Sequence, residues 1–251
     1  MKKIIYFISV FILIACESNN TNDTSTQSPE ATTQDGQGGS LAKFTLKGKY
    51  LYTVDERNLS VFNIENEKDP IKVNSENIGF NIETLFGYKN YLYIGSQNGM
   101  FIYDIKNPEF PKQLASVNHF TACDPVVAND KYAFVTLHSE TFCGNNINVL
   151  EVYDITKITE PILINSRNLT FPRGLGLFGD YLIVCDDEIK IFDVSNPKDS
   201  KLVNSVNRSA FDVIIQNDLL IVIGETGLFQ YRLTKNEEKG IELEELSAIN
   251  F

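Results

Sequence analysis

The sequence predicts an all-β protein, a five-bladed β-propeller with four antiparallel strands in each blade. A short β-rich run occurs five times along the chain, and a second β-rich run follows each of them. Apolar residues nowhere keep the spacing of a helix for long enough to compete with this pattern. Four strands in about 40 residues is the size of one propeller blade.

The repeat is regular except at one place. The first runs begin at residues 50, 91, 132, 181 and 219, so their starts lie 41, 41, 49 and 38 residues apart. From each second run to the next first run the distance is nearly constant, at 30 to 32 residues. The irregularity is therefore one insertion inside the third repeat, at about His138–Asn146. The first runs are Tyr50–Val54, Tyr91–Gly95, Tyr132–Thr136, Tyr181–Cys185 and Leu219–Ile223, and the second runs are Leu59–Ile64, Met100–Ile105, Leu150–Ile155, Ile189–Val194 and Leu228–Leu233.

The other two strands of each blade are expected on either side of these runs. An apolar segment such as Val213–Ile215 precedes a first run, and one such as Ile162–Ile164 follows the turn after a second run. Ile241–Leu246 supplies the outer strand of the fifth blade. No spare strand remains to join the first and last blades, so we expect side-chain packing to close the ring.

A carboxylate or amide recurs near the end of each second run. Asp104, Asp154 and Asp193 share this position with Asn63, and Arg232 departs from it. A side chain of this kind before a turn commonly accepts hydrogen bonds from the backbone N–H groups of that turn. We therefore expect a structural role here rather than catalysis or metal binding.

Several of these segments resemble a known family. Tyr91–Ile94, Ile102–Pro108 and Ile191–Pro197 resemble the LVIVD-repeat proteins, a family of secreted or lipid-anchored β-propellers. The resemblance extends over Leu41–Phe251 and is weakest in the fifth repeat. It implies a propeller fold and a surface location but no reaction, because function resides in a site rather than in a fold.

The first 40 residues predict export and anchoring. Two lysines precede the apolar stretch Ile4–Ile14, which is shorter than the ~20 residues that a membrane-spanning helix needs. The tetrad Leu13–Cys16 resembles the lipobox of bacterial lipoproteins, which implies a lipidated Cys16. We therefore expect a signal peptide over residues 1–15, the lipidated cysteine and a disordered tether over 16–40, and the propeller over 41–251. The tether is polar throughout, which keeps it from burying enough surface to fold.

These features place the protein in the cell envelope, lipid-anchored to an outer membrane or cell surface. The formal net charge is −11, and loss of the two leader lysines makes it −13. An anionic protein is a poor match for nucleic acid, whose phosphates attract Lys and Arg. The lipid anchor is the only membrane contact that the sequence predicts.

Charged residues are expected to converge at one mouth of the axial channel. If the segment before each first run is the innermost strand, alignment of the repeats brings Glu83, Asp124, Arg173 and Asp212 to the same end of that strand. Two interpretations stay open. The mouth is either a polar ligand pocket or a hydrated pore whose charges only pair with one another.

The third repeat holds both histidines and two of the four cysteines. His119 and Cys123 precede its first run, and His138 and Cys143 follow it. In an oxidising exterior we expect a Cys123–Cys143 disulfide at the base of the insertion, with tetrahedral zinc on the four residues as the alternative. We include His138 among the ligand-binding residues. Cys185 ends a first run and is expected to be a buried thiol.

Two classes of function fit the sequence. The first is a binding or scaffolding propeller that engages an envelope protein or a glycan through one face, since loops on a rigid scaffold commonly carry recognition. The second is an envelope hydrolase or lyase that uses the carboxylates of the channel mouth. No catalytic motif, cofactor-binding loop or metal site was identified, and the oligomeric state is left open.

Overall fold

The predicted five-bladed propeller is confirmed. A computed structural model describes residues 38–118, 125–139, 147–236 and 238–251. These residues form five separate four-stranded antiparallel sheets, and each sheet takes its strands consecutively from the chain. No sheet therefore borrows a strand from another blade within the part that the structure describes.

The strands of each blade are numbered from the channel axis outward. Blade 1 contains β1 (Phe44–Lys47), β2 (Tyr50–Val54), β3 (Asn58–Asn63) and β4 (Ile71–Asn77). Blade 2 contains β5 (Ile82–Tyr88), β6 (Tyr91–Ser96), β7 (Gly99–Asp104) and β8 (Lys112–Asn118). Blade 3 contains β9 (Val126–Ala128), β10 (Tyr132–Leu137), β11 (Val149–Asp154) and β12 (Ile162–Asn168). Blade 4 contains β13 (Leu175–Phe178), β14 (Tyr181–Cys185), β15 (Ile189–Asp193) and β16 (Lys201–Val206), with a 3-10 turn at Pro197–Asp199. Blade 5 contains β17 (Asp212–Gln216), β18 (Leu219–Gly224), β19 (Gly227–Asn236) and β20 (Gly240–Asn250).

Burial on both faces explains why a second strand such as β10 is a nearly continuous apolar run in the sequence. In β10 every residue after Tyr132 is buried, because neighbouring blades cover both faces of the sheet. The outer strand β12 is largely exposed, and Ile162 retains 62% of its accessible surface. The alternation of apolar and polar residues is therefore weak in the middle of a blade.

The core consists of layers between blades. One cluster of buried side chains joins blades 1 and 2, a second joins blades 2, 3 and 4, and a third joins blades 4 and 5. Tyr52, Phe134 and Phe229 are among the largest fully buried side chains in these layers. No apolar cluster of described residues joins blade 5 to blade 1.

A β-bulge occurs between the third and fourth strands of all five blades. The register shifts lie at Val61/Phe62, Ile102/Tyr103, Val152/Tyr153, Ile191/Phe192 and Gln230/Tyr231. A bulge bends a strand and increases its twist. Each outer strand therefore bends at the same point of its blade.

The repeated carboxylates have the structural role that the sequence predicts. In each case a side-chain oxygen accepts a hydrogen bond from the backbone N–H two residues later. The pairs are Asn63 with Glu65 at 2.9 Å, Asp104 with Lys106 at 2.7 Å, Asp154 with Thr156 at 2.9 Å and Asp193 with Ser195 at 2.9 Å. This turn ends the third strand one residue before the predicted end of the second run in these four blades. In blade 5, where Arg232 replaces the acceptor, β19 continues to Asn236 instead of Leu233.

The antiparallel order gives the ring two distinct faces. At the mouth face the chain enters each innermost strand, and each second strand turns into the third. At the turn face each innermost strand turns into the second, and each third strand turns into the fourth. Among the residues that the structure describes, no helix is long and apolar enough to cross a membrane.

Candidate ligand-binding face

The innermost strands pair with the first runs in the same register in all five blades. In each blade, the residue seven positions before the first run lies opposite the fifth residue of that run. The opposed pairs are Lys43 with Val54, Thr84 with Gly95, Pro125 with Thr136, Gly174 with Cys185 and Asp212 with Ile223. Glu83 and Arg173 directly precede Thr84 and Gly174, so they lie at the mouth face together with Asp212. Asp124 lies outside the described residues.

Asp212 fastens the start of the described chain across the mouth. Ser40 Oγ donates to Asp212 Oδ1 at 3.1 Å, and Leu41 N donates to Asp212 Oδ2 at 3.4 Å. Ser40 Oγ also accepts a hydrogen bond from Leu175 N at 2.8 Å. The segment that precedes blade 1 is thereby tied to blades 4 and 5. Ser40, which the sequence places at the end of the predicted tether, is 1% exposed.

Burial changes the acidity of this carboxyl group. Desolvation raises the pKa of Asp212 to about 6, although hydrogen bonds from Val213 N, Ser40 and Leu41 N oppose the change. The backbone approaches closely, because a Cβ on Gly39 or Gly174 would lie within 2.3 Å of an Asp212 oxygen. Asp212 therefore occupies a tight pocket built from its own chain.

Arg173 and His138 both contact the ring of Phe171. The Arg173 guanidinium lies 4.7 Å from the centroid of Phe171, and the His138 ring meets Phe171 edge-on at a centroid distance of 5.6 Å. Both polar residues were predicted from the sequence, whereas Phe171 was not. A cation held over an aromatic face is stabilised by the ring quadrupole, so this cluster combines charge with apolar surface.

A buried acid fixes the segment that carries Phe171. Asp186 Oδ1 accepts hydrogen bonds from Thr170 N at 3.0 Å and from Phe171 N at 2.5 Å, and its side chain is fully buried. Lys190 Nζ lies 2.7 Å from Asp186 Oδ2 and neutralises it. Asp186 therefore belongs to a structural ion pair. No metal-binding group occurs among the described residues.

Glu83 lies at an irregularity of the blade 2 inner strand. The pairing of β5 with β6 shifts between Ile82 and Thr84, which makes Glu83 the extra residue of a bulge. Glu83 Oε1 accepts a hydrogen bond from Gln97 Nε2 at 2.9 Å. Bulges commonly redirect a side chain at functional sites.

The base of the insertion is held by an amide. Asn148 Oδ1 accepts hydrogen bonds from Ser139 N at 3.0 Å and from Ser139 Oγ at 3.3 Å, across the two ends of the insertion. Cys123 and Cys143, the expected disulfide pair, both lie outside the described residues. Cys185 is buried as expected, and burial raises the pKa of its thiol.

A protein-family model matches two parts of the chain. Residues 87–118 and 173–208 match the model of the LVIVD repeat. The chain contains LVIVD repeats. The two matches cover most of blade 2 and all of blade 4, which are the blades whose motifs carried the resemblance. No curated protein matches the LVIVD-repeat chain.

Solved structures confirm the propeller architecture. A protein from Lactobacillus plantarum has a TM-score of 0.64 and 11% identity, covering 80% of this chain and 67% of that chain. The computationally designed protein Ika8 has a TM-score of 0.57 and 7% identity, over 81% and 70% of the two chains. KlAtg21, in its complex with the coiled coil of AgAtg16, has a TM-score of 0.55 and 13% identity, over 81% and 82%. At these identities the LVIVD-repeat propeller shares the fold alone with them.

Proposed function

We propose that the chain is a cell-envelope lipoprotein, anchored through a lipidated Cys16, whose propeller binds an envelope protein or a glycan through the mouth face. The observation that carries the proposal is the cluster of Phe171, Arg173 and His138 beside the insertion. Aromatic residues and arginine are the side chains that most often dominate recognition surfaces. Here the buried Asp186 holds the backbone of Thr170 and Phe171 in place, so little flexibility of the Phe171 segment has to be lost on binding.

The binding test replaces Phe171, the aromatic residue that both Arg173 and His138 contact. We expect Phe171→Leu to weaken binding of immobilised envelope glycans or envelope proteins by about 30-fold, as a central contact of about 2 kcal/mol would. Phe110→Leu is the matched control, because Phe110 is 59% exposed in a turn on the opposite face. Equal binding by wild type and Phe171→Leu would reject the mouth face as the recognition surface.

The anchor is tested separately by cell fractionation. Cys16→Ala removes the sulfur that would carry the lipid, so the variant should leave the membrane fraction and remain soluble. Retention of Cys16→Ala in the membrane fraction would contradict the lipoprotein assignment. Because the propeller is unchanged, its binding in the first test should be unaffected.

The alternative function, an envelope hydrolase or lyase, has one observation in its favour. The pKa of Asp212 is raised to about 6, which suits a general acid or base near neutral pH. Its oxygens, however, accept hydrogen bonds from Ser40, Leu41 and Val213. Asp212 thus supports closure of the ring more directly than chemistry, and loss of hydrolytic activity with retained folding in Asp212→Asn would reverse that preference.

A further inference from the structure

Two adjoining cavities lie on the turn face, opposite the cluster of Phe171. The smaller has a volume of about 150 Å³ and lies between blades 2 and 3. The larger, of about 320 Å³, continues toward blade 4. Tyr88, Asn129 and Asp130 line both cavities, so the two form one groove, which we call the turn-face groove.

The groove lies where a repeated pair of tyrosines lacks the hydrogen bonds that the equivalent pair makes in the neighbouring blade interface. Between blades 1 and 2, Tyr50 Oη donates to Glu109 Oε1 at 2.9 Å and Tyr52 Oη donates to the Pro108 carbonyl at 2.9 Å. The repeat places Tyr91 and Tyr93 at these positions in the next interface. There, Ile158 replaces Pro108 and Thr159 replaces Glu109. No hydrogen bond joins this second pair of tyrosines to that turn among the described residues, and the smaller cavity lies there instead.

Tyr93 brings an unsatisfied hydroxyl group to the groove. Its side chain is 1% exposed and lines the smaller cavity. Burial raises the pKa of the phenol, and no described residue accepts or donates a hydrogen bond to it. A ligand or a water molecule within the cavity would complete the hydrogen bonding of this hydroxyl group.

Lys89 at the rim occupies a backbone conformation that favours glycine. Its φ is 51°, whereas the equivalent turns of blades 1, 4 and 5 place Gly48, Gly179 and Asn217 in this left-handed region. The Lys89 ammonium pairs with Asp130 of the next blade and lies 5.5 Å from the centroid of Tyr88. A strained non-glycine residue of this kind is more common at functional sites than elsewhere.

The lining defines the chemistry of the ligand. Two cations, Lys89 and Lys131, are balanced by two anions, Asp130 and Asp180, so the groove selects neither charge. Tyrosine rings offer flat apolar faces to C–H groups, and the surrounding hydroxyl, amide and carboxylate groups match a ligand that both donates and accepts hydrogen bonds. We propose that the turn-face groove binds a neutral sugar, either free or as a residue of a glycan chain.

Titration of the full-length chain with neutral sugars tests the proposal. The probes are glucose, galactose, mannose and N-acetylglucosamine as monosaccharides, together with their β-linked disaccharides, which distinguish a free sugar from a glycan end. The chain has 11 tyrosines and no tryptophan, so tyrosine fluorescence reports directly on a groove lined by several of them. Saturation-transfer NMR provides the second readout.

Tyr93→Phe removes only the unsatisfied hydroxyl and should reduce sugar affinity at least about tenfold without loss of folding. Tyr52→Phe is the matched control, because it removes the equivalent hydroxyl where Pro108 already accepts its hydrogen bond. That control should retain full affinity. Failure of every sugar to bind, or equal binding by wild type and Tyr93→Phe, would overturn the proposal and leave a cavity filled by water. Since Phe171→Leu alters the other face, neither outcome depends on the function proposed for the mouth face.

Discussion

At the residue scale, Lys89 is held in a conformation that costs stability. A non-glycine residue in the left-handed region is disfavoured by roughly 1 kcal/mol or more. We therefore expect Lys89→Gly to raise the free energy of unfolding by about 0.5–1 kcal/mol, after loss of an exposed ion pair that is itself worth little. Urea denaturation measures the change, with Asp130→Asn as the control that removes the ion pair and leaves the backbone alone. A less stable Lys89→Gly protein would show that the side-chain contacts outweigh the backbone strain.

The same substitution separates stability from binding. If the groove takes a sugar, Lys89→Gly should bind it more weakly even though the variant is more stable. Opposite changes in the two properties are typical of a residue retained for function at the expense of folding.

At the element scale, the repeated carboxylates determine where the third strands end. Asp154 accepts hydrogen bonds from both the N–H and the hydroxyl of Thr156, and these bonds lower its pKa. Asp154→Ala should reduce the free energy of unfolding by about 1 kcal/mol, the usual value of such a bond. Chemical denaturation at pH 7 would detect this loss. Arg232→Ala, at the same position of blade 5, is the control and should change stability by less than about 0.5 kcal/mol. Equal effects of the two substitutions would show that the turn does not need its acceptor.

The elements were the most predictable part of the molecule. The first runs match the second strands within one residue. In blades 2, 3 and 4 the reason is that the second strand is buried on both faces after its first residue. The repeated Asp and Asn residues predicted the turns for a similarly local reason. The bulges could not be predicted, since they depend on which residue of the outer strand loses its partner.

At the scale of the whole molecule, hydrogen bonds from Ser40 and Leu41 to Asp212 join the segment before blade 1 to blade 5. Asp212 has a pKa near 6 in the folded protein against 3.8 for an ordinary aspartate. Because the folded-state pKa is the higher one, the unfolded chain releases its proton first as pH rises. The stabilising contribution of this group is therefore complete below about pH 4 and is lost between about pH 4 and 6.

Asp212→Asn isolates this effect from that of the other acids. Relative to the variant, the wild-type protein should lose up to about 3 kcal/mol of stability between pH 4 and pH 7. Guanidinium denaturation of both proteins at the two pH values gives the difference. Parallel pH profiles would mean that Asp212 is not desolvated.

Contacts between distant parts of the chain limited the prediction of sites. Ser40 lies in a polar stretch, and its burial depends on a carboxylate 172 residues away, so composition alone assigned it to the tether. In the sequence Phe171 is an ordinary loop residue, because its position depends on a hydrogen bond from its backbone N–H to the distant Asp186. One difference in the sequence indicates the turn-face groove. The turn residues Pro108-Glu109 of one repeat become Ile158-Thr159 in the next, while the tyrosine pair that faces them is unchanged. A blade-by-blade comparison of turns would have found that difference.

The direction of the strands has a practical consequence for how the protein can be attached to a surface. Each fourth strand runs toward the mouth face, and Phe251 N accordingly bonds to Thr226 O in a turn there. Gly39 enters at the same face, beside Asp212. A fluorescent protein, affinity tag or sensor-chip linkage joined after Phe251, or in place of the residues before Gly38, would therefore crowd the mouth. Such a fusion would present the hairpins between innermost and second strands, and the groove among them, to the solution.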